Sequence, residues 1–249
     1  MMDIIAERKT KTVYKDEDTV VKLFVKDYSK ADILNEALIH SRVEEGTKLN
    51  VPKLLEVKKY GSRWALTTEY IEGKTLTELM TEHPEKQDEY LELFVKLQLE
   101  VLGNTVPLLN RIKDKFRRKL TDTMLIDENI KYELLQRLEG MKNHTKLCHG
   151  DFNPSNIIVK PNGEYYILDW SHATVGNASA DAARTFLIFS LHANEELANK
   201  YLNLFSKESE IEMSNIQRWV PIVAATQLTK GIKEEQEFLR NWIDIVDFE

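Results

Sequence analysis

The chain has 249 residues, of which 42% are hydrophobic and 30% are charged, and it carries a net charge of −7 at pH 7. This composition is typical of a folded protein long enough for two lobes, and the acidic balance disfavours a nucleic-acid partner, which requires a basic face. No apolar run approaches a membrane span, and no signal-peptide pattern opens the chain. The single cysteine, Cys148, excludes an intramolecular disulfide. We therefore expect a cytoplasmic protein without a membrane partner.

The first predicted elements are a strand and a helix. Residues 19–24 form an apolar, β-branched run broken by Lys22, which predicts a strand. Ser29 begins a capping pattern that opens a helix, and Gly46 closes it. The helix carries Glu36 fourteen residues after Lys22, and the two are either ordinary surface charges or a strand–helix ion pair. The residues at 3-to-4 spacing, which we expect on the buried face of this helix, are Leu34, Ala37, Leu38 and Ser41.

Two extended segments follow at 51–57 and 64–71, and beyond residue 74 the spacing of apolar residues predicts mainly amphipathic helices. One of these helices carries a run of cations between Arg111 and Lys119. Because Asp114 and apolar residues are interleaved with them, we interpret the run as a solvated helix face. An anion-binding or partner-binding patch is the alternative.

The most specific pattern lies between residues 149 and 169. His149-Gly150-Asp151-Phe152-Asn153-Pro154-Ser155-Asn156 is followed by two β-branched or aromatic runs that flank a turn signal, Pro161-Asn162-Gly163. We expect a hairpin in which Asn156 and Asp169 lie on adjacent strands, with Asp151 in the loop before it. A phosphoryl-transfer site needs such a set, since one carboxylate accepts a proton while an amide and a second carboxylate hold Mg²⁺. The alternative is that these are ordinary turn residues that cap their own backbone.

The segment resembles the catalytic core of the aminoglycoside phosphotransferase and choline kinase families, which are similar to protein kinases. The resemblance implies a two-lobed, protein-kinase-like α+β fold with an N-terminal nucleotide-binding lobe at 1–72 and a mainly helical lobe at 73–249. It implies transfer of a phosphoryl group from ATP or GTP, with Mg²⁺, to a hydroxyl of a small molecule. An aminoglycoside phosphotransferase-like enzyme is the first expectation, and a choline or ethanolamine kinase-like enzyme is the second. A catalytically silent, nucleotide-binding regulator on the same fold is the alternative from another class.

The resemblance also implies roles for individual residues. Asp151 would be the catalytic base, and Asn156 and Asp169 the Mg²⁺ ligands. His149 would shape the loop. Asp181 would hydrogen-bond the backbone of that loop from the start of a helix, a location that the helix dipole alone also favours for an acid.

For the nucleotide, the resemblance implies that Lys22, held by Glu36, contacts the α- and β-phosphates. No glycine lies between Ala6 and Tyr14, where the kinases have a glycine-rich loop, so side chains at this turn would contact phosphate instead. The residues expected to do so are Lys9, Thr10 and Lys11. The residues expected at the adenine are Glu69 and Ile71 through their backbone, and Val20, Ile158 and Leu168 through their side chains.

The acceptor is expected to be small, because Asp181 follows Asp169 by only twelve positions, which leaves no room for a peptide-binding activation segment. The end of the chain suggests a cationic acceptor, since a final helix would gather acids at its C-terminal end against the helix dipole. The residues expected to bind this amine are Asp244, Asp247, Glu249 and one of the two aromatic residues Trp219 and Trp242. A solvated tail is the alternative.

Overall fold

The computed structural model describes residues 3–192 and 194–243. The chain divides into two compact units. The first, here the strand-rich unit, comprises Met1–Pro84 and Pro154–His172, and the second, the helical unit, comprises Glu85–Asn153 and Ala173–Glu249. Among the described residues, no helix has both the length and the apolar character that crossing a membrane requires.

Most strands belong to the strand-rich unit, and β7 and β10 belong to the helical unit. The strands are β1 (Asp3–Glu7), β2 (Lys11–Asp16), β3 (Thr19–Phe24), β4 (Leu54–Tyr60), β5 (Arg63–Glu69), β6 (Lys74–Thr75), β7 (Lys146–Cys148), β8 (Ile157–Val159), β9 (Tyr165–Ile167) and β10 (Thr174–Gly176).

The first two helices belong to the strand-rich unit and the others to the helical unit. The helices are α1 (Lys30–Gly46), α2 (Leu76–Glu82), α3 (Gln87–Leu102), α4 (Ile112–Asp122), α5 (Glu128–Gly140), α6 (Ala178–His192), α7 (Glu195–Ser209), α8 (Met213–Gln217), α9 (Val220–Leu228) and α10 (Lys233–Ile243). Single turns of 3₁₀ helix lie at Pro84–Lys86, Pro154–Asn156 and Trp170–His172.

The main sheet of the strand-rich unit is antiparallel, in the order β1-β2-β3-β5-β4. Its register places Lys11 opposite Phe24 and Val13 opposite Lys22. Because residues two apart on a strand share a face, Lys11, Lys22 and Phe24 lie on the same side of the sheet. Phe24 is buried there in a cluster with Ile33 of α1, so this side faces α1 and both lysines point toward that helix.

The helix α1 begins as predicted, but of the four residues expected on its buried face only Ala37 is buried. The hydroxyl of Ser29 accepts a hydrogen bond from the Asp32 N–H at 3.3 Å. Leu34 and Leu38, expected inside, are 45% and 46% exposed. The residues that α1 buries are Ile33, Glu36, Ala37, Ile39, His40 and Val43. The stripe that contains Glu36 is therefore the one that packs against the sheet.

The predicted hairpin is present as β8 and β9, joined through Pro161-Asn162-Gly163. Asn156 ends the 3₁₀ turn before β8, and its carbonyl accepts from the N–H of Leu168 at 2.8 Å. Strand β6 pairs on the other side of β8. A side chain at Gly73 would lie 2.5 Å from the carbonyl oxygen of Val159, so only glycine permits this approach.

The helical unit packs around an aromatic core. Phe94 of α3 contacts Phe152, Phe189 and Tyr201, with ring centroids 4.8, 5.3 and 5.9 Å away. The short antiparallel pair β7 and β10 aligns Cys148 with Thr174, and the cysteine is buried. Phe152 lies in the segment that follows β7, so the core anchors that segment directly.

Candidate active site

In the strand-rich unit, Lys22 bridges two carboxylates. Its Nζ lies 3.1 Å from Glu36 Oε1 and 3.0 Å from Asp169 Oδ1. Burial alone would lower the pKa of Lys22, but the charges of Asp169 and Glu36 outweigh burial and raise that pKa above its ordinary value. Lys22 is therefore a permanent positive charge held in one orientation from two sides.

Lys11 is a second cation at the same carboxylates. Its Nζ lies 3.7 Å from Glu36 Oε1 and 3.6 Å from Asp169 Oδ2. The side chain is 16% exposed, and its ammonium also lies 5.8 Å from the centroid of the Phe24 ring. The strand-rich unit thus presents two ammonium groups side by side, which suits a chain of phosphates.

Asp169 sits in a backbone conformation that few residues adopt. Its φ is +55°, in the left-handed region where Asp and Asn are the best tolerated residues after glycine. Burial alone would raise the pKa of Asp169, but the charges of Lys22 and Lys11 hold it well below its ordinary value. The carboxylate is therefore ionised. Because its side chain is 32% exposed, it is also accessible to a cation.

Asn156 and Asp169 offer the oxygen donors that Mg²⁺ prefers. Both lie at the same end of the β8–β9 hairpin, because Leu168, the neighbour of Asp169, donates to the carbonyl of Asn156. Within residues 3–192 and 194–243, no group of three or more His, Cys, Asp or Glu side chains forms a closed metal cage. One carboxylate and one amide fit Mg²⁺, which keeps several waters and takes further oxygens from phosphates.

The turn before β2 is closed without glycine. The N–H groups of Arg8 and Lys11 donate to each other's carbonyls at 2.9 and 3.3 Å. The carbonyl of Thr10 accepts from the N–H of Val25 at 3.0 Å, and the residue is exposed. Arg8, Lys9 and Thr10 have no positive φ, so this tight turn does not require glycine.

The residues expected at the adenine lie on or next to the sheets of the strand-rich unit. Val20, Ile158 and Leu168 are all half-buried, as the walls of a binding site are. The N–H of Glu69 donates to the carbonyl of Lys53 at 2.9 Å, so a contact from Glu69 to a base would use its carbonyl. Ile71 is buried just beyond the end of β5.

In the helical unit, the loop after β7 is built around Asp151. The N–H of Asp151 donates to Nδ1 of the buried His149 at 3.3 Å. Asn153 Nδ2 donates to the carbonyl of Asp151 at 2.9 Å. Gly150 has a φ of +79°, so glycine permits the sharp turn between these residues. His149 packs edge-on against Phe152.

A buried polar network holds this loop from α6. Asp181 Oδ1 accepts from the N–H of Gly150 at 2.7 Å, and its Oδ2 accepts from Gln98 Nε2 at 3.2 Å. Gln98 Nε2 also donates to the hydroxyl of Thr185 at 3.1 Å, and Tyr201 donates to Gln98 Oε1 at 2.7 Å. Burial raises the pKa of Asp181, against the opposing effect of the Gly150 N–H. The network therefore joins the backbone of the loop to α3, α6 and α7 through hydrogen bonds.

Arg184 is a residue of this loop's surroundings that the sequence analysis missed. Its Nη2 donates to Asp151 Oδ1 at 2.9 Å, and its side chain is 13% exposed. Arg184 follows Asp181 by three residues on α6, so the two lie on the same helix face. That spacing was the signal available in the sequence.

The interpretation of the cationic run on α4 as a solvated face is only partly correct. Lys113 is buried and donates to the carbonyls of Glu139 and Met141 at 3.1 and 2.8 Å. Arg117 does lie on the exposed side and pairs with Glu139. Lys115 and Lys119 are half-buried. The charges of α4 therefore divide between two faces.

The residues expected at a cationic acceptor are not assembled among the described residues. Trp219 is 1% exposed and packs edge-on against Phe116, so its ring is part of the core and offers no open face. Trp242 is half-buried and contacts Phe186 at 5.4 Å. The acids Asp244, Asp247 and Glu249 lie outside the described residues.

Comparison with known proteins identifies relatives over most of the chain. "Protein LicA homolog" of Metamycoplasma hominis is 25% identical over 218 residues, which cover 81% of this chain and 77% of that protein. A thermostable mutant of aminoglycoside phosphotransferase APH(4)-Ia, solved in ternary complex with AMP-PNP and hygromycin B, has a TM-score of 0.73 at 15% identity, covering 98% of this chain and 92% of that one. Choline kinase LicA from Streptococcus pneumoniae has a TM-score of 0.64 at 14% identity, covering 98% and 90%.

The structural likenesses confirm the predicted protein-kinase-like α+β fold. Residues 6–213 match the family model APH, the phosphotransferase enzyme family. This match spans well over half of the chain, and the chain therefore belongs to the phosphotransferase enzyme family, the enzyme class that the sequence predicts.

Proposed function

We propose that this protein transfers the γ-phosphoryl group of ATP, with Mg²⁺, to a hydroxyl of a small molecule. The observation that carries the proposal is the bridge from Lys22 to Glu36 and Asp169, at 3.1 and 3.0 Å. A lysine held in this way is the device by which kinase-like enzymes orient the α- and β-phosphates. The similar aminoglycoside phosphotransferase was solved with AMP-PNP, which supports a nucleoside triphosphate as the donor.

Lys22 would contact the phosphates, with Lys11 beside it as the substitute for backbone contacts of a glycine-rich loop. Asn156 and Asp169 would hold Mg²⁺, and the ion would supply positive charge to the phosphates. Val20, Ile158 and Leu168 would enclose the base, with the Glu69 carbonyl and the Ile71 N–H at its polar edge.

Asp151 would accept the proton of the acceptor hydroxyl as its oxygen bonds to the γ-phosphorus, while the bond from that phosphorus to the β–γ bridging oxygen breaks and ADP leaves. His149 accepts from the N–H of Asp151 itself and Asp181 accepts from the N–H of Gly150, so the backbone that leads into Asp151 is held by two contacts. Arg184 Nη2 donates to Oδ1 of the carboxylate at 2.9 Å, and Asn153 Nδ2 donates to Oδ2 at 3.4 Å. These contacts support a carboxylate that is oriented before the substrate arrives.

A catalytically silent regulator on the same fold is the competing function. It would bind Mg·ATP through the same lysines and metal ligands but would not turn it over. The purified full-length protein should be incubated with Mg·ATP and a panel of alcohols, amino alcohols, sugars and aminoglycosides, while ADP release is followed. We expect release that depends on both an acceptor and Mg²⁺. Tight Mg·ATP binding without turnover on any member of a broad panel would favour the regulator.

A further inference from the structure

Four side chains of the strand-rich unit form a closed set of ion pairs around Asp169. Lys22 Nζ lies 3.0 Å from Asp169 Oδ1 and 3.1 Å from Glu36 Oε1. Lys11 Nζ lies 3.6 Å from Asp169 Oδ2 and 3.7 Å from Glu36 Oε1. Two ammonium groups therefore face two carboxylates, and each oxygen of Asp169 has a lysine beside it.

A metal ion bound by Asp169 needs an oxygen that a lysine already contacts. The side chain of Asp169 is 32% exposed, so an ion can reach it. Mg²⁺ binds an oxygen at closer range than an ammonium group does, and like charges at such short range repel each other strongly. An ion that arrives without a nucleotide must therefore share Asp169 with two cations or displace one of them.

Lys11 is the cation that can leave Asp169 at the lower cost. Its contacts with the two carboxylates are longer than hydrogen bonds. Lys22, in contrast, donates a hydrogen bond to Asp169 and another to Glu36. The backbone of Lys11 is held in the turn before β2, where its N–H donates to the carbonyl of Arg8 at 3.3 Å. Because a flexible four-carbon stem joins the ammonium group to that backbone, the ammonium group can move while β2 stays in place.

The phosphates of a nucleotide are the other anions to which Lys11 can turn. We propose that Lys11 couples metal binding to nucleotide binding: its ammonium group stays beside Asp169 Oδ2 until phosphate draws it away, and this oxygen then becomes available to Mg²⁺. The site thereby discriminates against the metal ion alone. This inference rests on the proposed phosphotransferase function, and it gives Lys11 a role at the metal ligand in addition to its contact with phosphate.

The first test measures metal binding to the full-length protein without nucleotide. Mn²⁺ replaces Mg²⁺ because it takes the same oxygen ligands and its free concentration can be followed by electron spin resonance. Lys11→Met should bind Mn²⁺ about 10-fold more tightly than the wild type, since a competing charge is removed from Asp169. Adding Asp169→Asn to Lys11→Met should abolish this gain.

Two control variants show whether the gain belongs to the charge at this position. Lys11→Arg keeps that charge and should bind Mn²⁺ no more tightly than the wild type. Lys26→Met, which removes an exposed lysine of the same unit, should also bind as the wild type does. If Lys11→Met lacks a cooperative thermal transition, Lys11→Gln takes its place. A variant without the charge that binds Mn²⁺ no better than the wild type, or a gain that survives Asp169→Asn, overturns the inference.

The second test separates this role from a phosphate contact alone. Calorimetry gives the affinity for ADP with saturating Mn²⁺ and without it, and the ratio of the two affinities measures the coupling between metal and nucleotide. If Lys11 only contacted phosphate, Lys11→Met would lower both affinities by the same factor and leave the ratio unchanged. We expect the ratio to fall about 10-fold, because the metal no longer depends on the nucleotide to remove Lys11 from Asp169. An unchanged ratio overturns the inference and leaves the proposed function standing, whereas a wild type that releases no ADP with any acceptor defeats the proposed function itself.

Discussion

Lys11 Nζ lies 3.6 Å from Asp169 Oδ2, on the opposite carboxylate oxygen from the one that Lys22 contacts. Two lysines from neighbouring strands therefore hold one aspartate between them. In a chain whose first turn has no glycine, this arrangement supplies positive charge to phosphates through side chains.

Lys11→Met should weaken nucleotide binding, because one of the two ammonium groups beside Asp169 is lost. We expect KM for ATP to rise about 10-fold while KM for the acceptor changes little, the size of one charge-assisted contact. Steady-state kinetics with each substrate varied in turn separates the two effects. Lys26→Met, which removes an exposed lysine of the same unit, is the matched control. If both variants behave alike, Lys11 is not a phosphate contact.

Asp169→Ala should remove the effect of Mg²⁺ on nucleotide binding, because the ion loses its carboxylate ligand. The measurement is the thermal stabilisation that Mg²⁺ adds in the presence of ADP. The wild type should gain from the metal, and so should Asp27→Ala, which removes an exposed acid from the same unit. A full Mg²⁺ increment in Asp169→Ala would contradict the assigned role.

Gln98→Leu should loosen the loop that carries Asp151 by breaking the buried polar network. Asp181 and Tyr201 would each lose a hydrogen-bond partner, which costs about 1–3 kcal/mol for each buried polar group left unsatisfied. We expect a lower free energy of unfolding and a lower kcat, with KM for ATP unchanged. Gln136→Leu, at an exposed position of α5, should show neither effect. A fully active and stable Gln98→Leu protein would show that the network does not position the loop.

The lowered pKa of Lys115 makes a prediction about stability and pH. The folded value is about 7 and the ordinary value is 10.5, so between them the unfolded chain binds the extra proton and stability rises with pH. The penalty is complete below about pH 7, where Lys115 is charged although it is shielded from water and lies among Lys119, Lys230 and Arg118, with Asp151 giving partial relief. Lys115→Met should therefore be more stable than the wild type at pH 6, and the difference should shrink toward pH 9. Denaturant unfolding at several pH values measures this difference, and one that stays constant with pH would refute it.

Much of the strand-rich unit follows from local patterns. The strand with Lys22, the helix with Glu36 and the hairpin before Asp169 are each marked by spacing and turn residues within about twenty positions. The position of Lys11 beside Lys22 could also have been predicted from the sequence. A two-residue turn at 17–18 sets a register in which Lys11 pairs with Phe24, on the face of Lys22.

The buried face of α1 shows where local patterns fail. Ile33 and Ala37 form one stripe at helical spacing, and Leu34 and Leu38 form a second beside it. Both stripes satisfy the same periodicity, so the sequence does not choose between them. The ion pair between Glu36 and Lys22 decides which stripe is buried, because it fixes the rotation of the helix about its axis.

The nearness of Lys115 and Lys230 to Asp151 lies beyond sequence analysis for a different reason. Lys115 and Lys230 are 115 positions apart, and only the packing of α4, α6 and α9 brings them to one loop. Within α4 alone, the cations alternate with acids and apolar residues as they do on any solvated helix.

The most direct test of the proposed function is the turnover of Asp151→Asn. With the best acceptor of the panel and saturating Mg·ATP, we expect kcat to fall at least about 100-fold, because the asparagine cannot take the hydroxyl proton, while the affinity for Mg·ATP stays close to that of the wild type. Asp122→Asn, at an exposed position of α4, should retain full activity. A kcat for Asp151→Asn equal to that of the wild type would contradict the assignment of Asp151 as the base and, with it, the proposed mechanism.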